Sequence, residues 1–369
     1  MCFNNLSIYR RAIYTLIDKQ YDCDWFIEQT DTGVKSFSDT ELKRVNRLQT
    51  VQIGPFFWEK GLIGLLRRDY DIYFMLGATR NISLFVFCLF AKLFWNKTKR
   101  VYLWTHGVYG KESGLEWIFW KRPLLKMADG IFTYGDYAKK LLVEKRFDES
   151  KIYPIHNSLD YDSQLKIRKE LTPSVIYKNH FKNANPVIIF IGRLTSVKKL
   201  DMLVNAVGLL KRKGKEYNVV FVGDGSEREK LERLSVENKI ERNVWFYGEC
   251  YDEIQNAELV YNADLCVAPG NIGLTAMHSL MFGCPAISHN NFAYQMPEFE
   301  SIKPGETGDF FEFGSVEDLG DKIEQWFSTH HNKRESIRSA CYQVIDTSWN
   351  PYYQIQLIQQ VFSSIENEH

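Results

Sequence analysis

The chain has 369 residues, 45% of them apolar and 25% charged, and its 46 Lys+Arg balance 46 Asp+Glu. These are globular proportions, enough for about two domains with large cores, and they exclude disordered, collagen-like and disulfide-stapled classes. Seven scattered cysteines without a CxxC pair fit a reducing compartment and speak against a structural zinc.

In chain order, the first residues lack the apolar core of a signal peptide, because Asn4-Asn5 and Arg10-Arg11 interrupt it. A cytoplasmic protein is therefore expected. Residues 1–6 offer almost no strand and residues 8–16 already read as a helix. The first strand of the domain is thus expected to be very short, unless the true start lies upstream. Runs at 25–28, 51–53, 72–76, 101–105, 130–134 and 151–155 read as strands, with helices such as 81–95 and 137–144 between them. The apolar run 83–95, broken by Lys92, is shorter than the roughly 20 residues of a bilayer span and reads as a core helix. Charge is unevenly spread: residues 1–182 carry 29 Lys+Arg against 20 Asp+Glu, and residues 183–369 carry 17 against 26. Aromatics crowd the same basic half, among them Phe56, Trp58, Phe85, Phe90, Trp117 and Trp120. Basic charge with aromatics favours a peripheral contact with an anionic membrane surface. Nucleic acid is not expected, since no motif for it accompanies the charge.

Residues 172–186, polar and bracketed by prolines, read as a linker. Beyond it follow strand 187–191, helix 200–213, strand 218–222, helix 226–238, strand 244–247, helix 252–261, strand 264–268, helix 273–282, strand 285–288 and helix 316–328. A last amphipathic helix, 352–365, follows Pro351. Strands alternating with helices predict parallel sheets covered on both faces, an α/β doubly wound architecture. The domains are set at 1–182 and 183–345, with 346–369 expected to return to the first.

Four motifs in the second half carry chemistry. Gly192-Arg193-Leu194-Thr195-Ser196-Val197-Lys198 joins a strand to a helix: the glycine permits a tight turn, and Arg193 and Lys198 offer a fork and a point charge to a diphosphate. Val222-Gly223-Asp224-Gly225-Ser226 ends a strand where open α/β sheets bind ligands, with Ser226 placed to cap the next helix. A simple turn would read the same. Asn243-Val244-Trp245-Phe246-Tyr247-Gly248-Glu249 leads a third strand to that edge, where its backbone could read a nucleobase. Most specific is Pro269-Gly270-Asn271-Ile272-Gly273-Leu274-Thr275-Ala276-Met277-His278, a strand end, a glycine loop and a helix start. Here the amides of Gly273, Leu274 and Thr275 would face an anion.

Together, and in this order, these motifs resemble the donor domain of the retaining GT-B glycosyltransferases of the glycosyl transferases group 1 (family four) class. Trp104-Thr105-His106-Gly107, Ala128-Asp129-Gly130 and Ile155-His156-Asn157 agree more loosely in the first half. The resemblance covers about residues 70–330 and implies two Rossmann-like domains facing a cleft. It implies transfer, with retention, of a hexose from a UDP- or GDP-sugar to a glycan or lipid-linked acceptor in surface polysaccharide synthesis. Arg193 and Lys198 would hold the diphosphate, and the loop at Gly192, Gly223, Gly225, Glu249 and Gly270 to Thr275 would hold the donor. His278 would hydrogen-bond ribose, and His106 would stabilise charge at the reacting carbon. No metal and no cofactor are expected. One departure matters. The family pattern places glutamates at the positions held here by Gly270 and His278, so Asn271 or Glu298 is expected to read the sugar, unless the protein is a non-catalytic sugar-nucleotide-binding subunit. Three Asp-x-Asp pairs (Asp22/Asp24, Asp69/Asp71, Asp160/Asp162) read as chance, and a sugar-nucleotide epimerase fits less well.

Overall fold

In the computed structural model, residues 1–28, 36–95, 98–112 and 114–366 are described. They form two compact units: Met1–Asp160 with Pro351–His369, and Tyr161–Asn350.

The first unit holds a seven-stranded sheet, with β1 (Cys2–Phe3), β2 (Trp25–Glu28), β3 (Val45–Leu48), β6 (Ile72–Leu76), β7 (Arg100–Thr105), β8 (Gly130–Thr133) and β9 (Ile152–Pro154) ordered β3-β2-β1-β6-β7-β8-β9. Every pairing is parallel. β1 has two residues, yet it sits centrally and pairs on both sides. Side chains alternate across the sheet as the pleat requires. Tyr73, Met75 and Leu103 join one core cluster with Leu84, Phe87 and Leu124. Phe74, Trp104 and Phe132 join the other with Phe3, Tyr14 and Trp25. The C-terminal helix Pro351–Glu366 seals this second cluster with Ile358, Val361 and Phe362.

Residues 51–53 do not belong to that sheet. β4 (Thr50–Ile53) pairs antiparallel with β5 (Phe56–Glu59) in a separate hairpin. The Gly54-Pro55 turn, with Gly54 at φ 58°, folds the chain back on itself before it can cross to the sheet.

The second unit has β10 (Val187–Ile191), β11 (Asn218–Val222), β12 (Val244–Gly248), β13 (Leu265–Val267), β14 (Ala286–His289) and β15 (Gly308–Phe311) in the order β12-β11-β10-β13-β14-β15, all parallel. Winding reverses between β10 and β13, which opens a crevice at the carboxyl ends of those two strands.

The unit boundaries fall at 160/161 and 350/351 rather than at 182/183 and 345/346. The stretch read as a linker contains the helix Ile176–Phe181, whose buried Tyr177 donates to Leu259 O (2.6 Å). Arg168 of the preceding helix Tyr161–Glu170 binds Asp346 (2.8 Å). These contacts attach residues 161–182 to the second unit.

Candidate active site

At the reversal point of the second sheet, two loops meet backbone to backbone. Gly270 N donates to Lys198 O (2.9 Å), and Asn271 N to Val197 O (3.4 Å). Lys198 Nζ closes the contact by donating to Asn271 O (2.6 Å). A Cβ on Gly270 would stand 2.1 Å from Val197 O. The glycine therefore serves this loop-to-loop approach; its backbone is buried against protein instead of lying open to a ligand. Gly223 and Gly225 are needed for the same reason, since their Cβ atoms would meet Gly192 O at 2.0 Å and Leu194 O at 2.4 Å. They brace the Gly192–Leu194 turn, to which Asp224 O and the Glu227 amide also bond (Leu194 N to Asp224 O 2.9 Å, Glu227 N to Leu194 O 3.0 Å). Ser226 caps nothing: the helix Arg228–Glu237 starts after Glu227 without a side-chain cap.

The loop after β13 uses most of its amides internally. The Ile272 amide donates to Gln295 Oε1 (3.0 Å) and the residue is fully buried, so it holds the loop and is closed to a ligand. Gln295 in turn donates to Ser288 Oγ (2.7 Å) and His289 O (3.2 Å). The amides of Gly273, Leu274 and Thr275, the trio predicted to face an anion, have no partner among the described residues. Gly273 has φ 53° and ψ −143°, a conformation that only glycine adopts at low cost. It turns the chain into the eight-residue helix Leu274–Met281. Thr275 Oγ1 donates to Ile191 O (3.0 Å), which ties this helix start to the end of β10 and places it beside Gly192.

Arg193 is exposed at the mouth and Lys198 is half-buried behind it. Burial holds the Lys198 amine below its usual range, the nearby Arg193 charge lowers it further, and Glu298 opposes both. Glu298, one of the two residues expected to read the sugar, is buried. Two cations, a helix amino end and one enclosed carboxylate thus share the crevice. Asn271 is half-buried at its rim. Glu249 stands exposed beyond β12, with no bond to this cluster.

His278 lies on the helix Leu274–Met281, and its Nε2 bonds Glu253 Oε1 (3.0 Å), while its Nδ1 is buried without a partner. Burial pushes the Glu253 carboxyl up, but the bonds from His278 and Gln164 (2.7 Å) outweigh it and hold the carboxyl below its usual range. Sequence reasoning missed Glu253. It sits 25 residues from His278 and carries no local signal beyond following Asp252, which caps its helix.

In the first unit, His106 follows β7. Its ring lies 4.5 Å from that of Tyr134 and 5.8 Å from that of Tyr109, with Nδ1 buried and unpartnered. Burial, helped by the Arg10 and Lys121 charges, depresses it to about 4, so the imidazole is neutral at physiological pH. Arg10 is buried too; it donates to the Tyr134 hydroxyl and to Tyr14 Oη (3.3 Å), and it faces the rings of Tyr9, Trp104 and Tyr134.

Residues 175–344 match the glycosyl transferases group 1 family. A GDP-mannose-dependent alpha-(1-6)-phosphatidylinositol dimannoside mannosyltransferase of Mycobacterium tuberculosis is 33% identical over 104 residues, 27% of this chain and 26% of that protein. The chain spans only part of the curated relatives it matches, between 26% and 61% of their length. Among solved structures, Anabaena HepE in complex with UDP superposes with a TM-score of 0.70 at 16% identity, covering 98% of this chain and 99% of that one. A glycosyltransferase from Rickettsia africae gives 0.72 at 18%, covering 100% and 99%. The fold is that of the GT-B glycosyltransferases.

Proposed function

Since residues 175–344 belong to the glycosyl transferases group 1 family, we propose that this glycosyltransferase moves a hexose, with retention and without a metal, from a UDP- or GDP-sugar to a glycan or lipid-linked acceptor. The observation that carries the reading is the unpartnered amide trio Gly273–Thr275, tied by Thr275 to the end of β10, from which the loop with Arg193 and Lys198 departs. A helix amino end carries about half a positive charge, and two side-chain cations add to it. The charge that grows on a departing diphosphate is stabilised there by fixed groups. The Anabaena neighbour was solved with UDP, and the mycobacterial relative is named for GDP-mannose; the two nucleotides are the candidates here.

In this reading Arg193 and Lys198 bind the diphosphate. The leaving phosphate oxygen takes the acceptor proton, so no side-chain nucleophile is required. Asn271 and the enclosed Glu298 are assigned to the donor sugar. The His278–Glu253 pair presents a carboxylate to ribose hydroxyls, in place of the glutamate that the family pattern has at residue 278. His106 contributes a neutral imidazole able to hydrogen-bond a substrate hydroxyl.

Calorimetric titration with UDP, GDP and ADP tests the donor site. One nucleotide binds, and Arg193→Ala weakens it roughly tenfold to a hundredfold, the loss of about 1.5–3 kcal/mol for a charge-assisted bond. Absence of binding to all three defeats the reading. Gly270, which brings no carboxylate to the sugar, favours a second reading, a non-catalytic sugar-nucleotide-binding subunit. Incubation with the UDP- or GDP-hexose of the nucleotide that binds separates the two: an active enzyme releases nucleotide by hydrolysis or transfer, and a binding subunit releases none.

A further inference from the structure

The helix Ile82–Phe94 of the first unit carries a single charge, Lys92, and is otherwise almost wholly apolar. Its inner face, Leu84, Phe87, Cys88 and Ala91, fills the core. Its outer face would be polar if it met only water. Instead Leu89, Phe90, Leu93 and Phe94 are exposed, the last two by 64% and 69%. Beside it runs the helical segment 114–127, whose Trp117–Lys121 turn is π-helical. That wide turn leaves three consecutive apolar residues, Ile118, Phe119 and Trp120, on the surface. The two surfaces adjoin: Trp120 lies 6.0 Å from Phe85 of the first helix and 4.9 Å from Phe56 of the β4–β5 hairpin, ring to ring. Soluble monomers rarely expose so much contiguous apolar surface without a use for it.

Charge says what the use is. Residues 80–127, which carry both surfaces, hold 9 Lys+Arg and 2 Asp+Glu. One of those acids, Glu112, is neutralised by Lys121 (2.9 Å). Arg80, Lys92, Lys111 and Lys126 are exposed. No helix among the described residues is long and apolar enough to cross a membrane. Aromatic and aliphatic side chains on a cationic segment fit a bilayer interface, where the apolar groups enter the acyl boundary and the cations meet anionic headgroups.

We propose that this face docks the protein on the surface of a bilayer containing anionic lipid, with the helix Ile82–Phe94 and the segment 114–127 lying in the plane of the interface. The full chain is sedimented with sucrose-loaded phosphatidylcholine vesicles, with and without phosphatidylglycerol, at low and high salt. Wild type pellets with the anionic vesicles, less so in high salt, and Trp emission shifts to the blue. Leu93→Ser with Phe119→Ser lowers the vesicle affinity by about tenfold or more, and Lys92→Glu with Lys126→Glu removes the preference for anionic lipid. All four positions are exposed, so the urea midpoint is expected to stay at the wild-type value, which controls for folding. Absent binding, equal binding to neutral vesicles, or undiminished binding of the serine variant each overturns the proposal. So does a wild-type dimer that the serine variant dissociates while neither binds vesicles; the face would then join two copies of the chain. No sugar nucleotide enters the assay, so its failure leaves the donor site untouched.

Discussion

At Gly270 the missing side chain has a mechanical reason. The Cβ position is filled by the backbone of the neighbouring loop, 2.1 Å from Val197 O and 2.8 Å from Lys198 C, and the Gly270 amide is already committed to Lys198 O. An acid here would have to push apart the loop that carries Lys198. Gly270→Ala is therefore expected to cost about 1–3 kcal/mol, the range of an overpacked interior site, read as a lower urea midpoint with weaker nucleotide binding. Gly270→Glu, which restores the family's acid, is expected to do worse on both counts and not to raise turnover. A glutamate variant with an unchanged midpoint and faster transfer would show that the loop has room and that the glycine is a simple loss. Lys198 leads to the same conclusion from the other side of the contact, because its amine is held by the Asn271 carbonyl and needs the two loops at this distance.

Between elements, the β4–β5 hairpin is fastened by a carboxyl pair. Glu59, at the end of β5, accepts from Asn81 Nδ2 (2.6 Å), and its amide donates to Ser83 Oγ (2.9 Å); Asn81 also caps the helix Ile82–Phe94. The Glu28 carboxyl, at the end of β2, is hydrogen-bonded to Glu59, and burial followed by the Glu59 charge pushes it up to about 8. A carboxyl raised on folding stabilises fully below its ordinary value near 4.5. That contribution is lost as pH climbs through the folded value. Wild type is thus expected to lose on the order of 1–2 kcal/mol relative to Glu28→Gln between pH 6 and pH 8.5. The difference between the two proteins is what matters: His106 and His289, both held neutral down to about 4, shift stability the opposite way in each of them. Parallel urea curves at the two pH values would refute the shared proton. None of this pairing is legible in the sequence, where Glu28 and Glu59 are 31 positions apart. What was legible follows from pattern strength. Val187–Ile191 and Asn218–Val222 are buried strands between sharp turns, and the structure places both at the bounds read from sequence. Val45–Leu48 and Gly308–Phe311 escaped because both are edge strands with few apolar residues: Asn46 and Arg47 are exposed, and Asp309 interrupts the second. The motif loops do follow strands β10, β11 and β13, but Gly270, Gly223 and Gly225 each face a neighbouring backbone. A glycine that admits a ligand and one that admits a neighbouring backbone look alike until the other chain segment is in place.

For the whole molecule, the consequential feature is that the chain leaves the first unit at Asp160 and returns at Pro351. The returning helix is part of that unit's core. Ile358, Val361 and Phe362 are buried, and the Phe362 ring meets those of Tyr21, Phe74, Tyr102 and Phe132. Gln354, itself buried, donates to His156 O (3.1 Å) and accepts from Ser158 Oγ (2.7 Å), and Tyr353 donates to Pro154 O (3.1 Å). Each large apolar side chain withdrawn from such a site costs roughly 1.5–3 kcal/mol in transfer alone. Three of them amount to a large share of the 5–15 kcal/mol that keeps a typical domain folded. A chain ending at Asn350 is therefore expected to fold only in part. Its second unit, which contains the proposed donor site and contributes nothing to this cluster, should keep slow amide exchange and nucleotide affinity. Its first unit should exchange quickly and be cut by protease within residues 1–160. The single substitution Phe362→Ala should destabilise the first unit by about 3–5 kcal/mol and lower its unfolding midpoint while leaving that of the second unit unchanged. If the truncated chain instead keeps both units protected, the returning helix is an ornament on a first unit that is stable without it. If both units lose protection together, the two are one cooperative body, and the division of the chain at Asp160 has no energetic meaning.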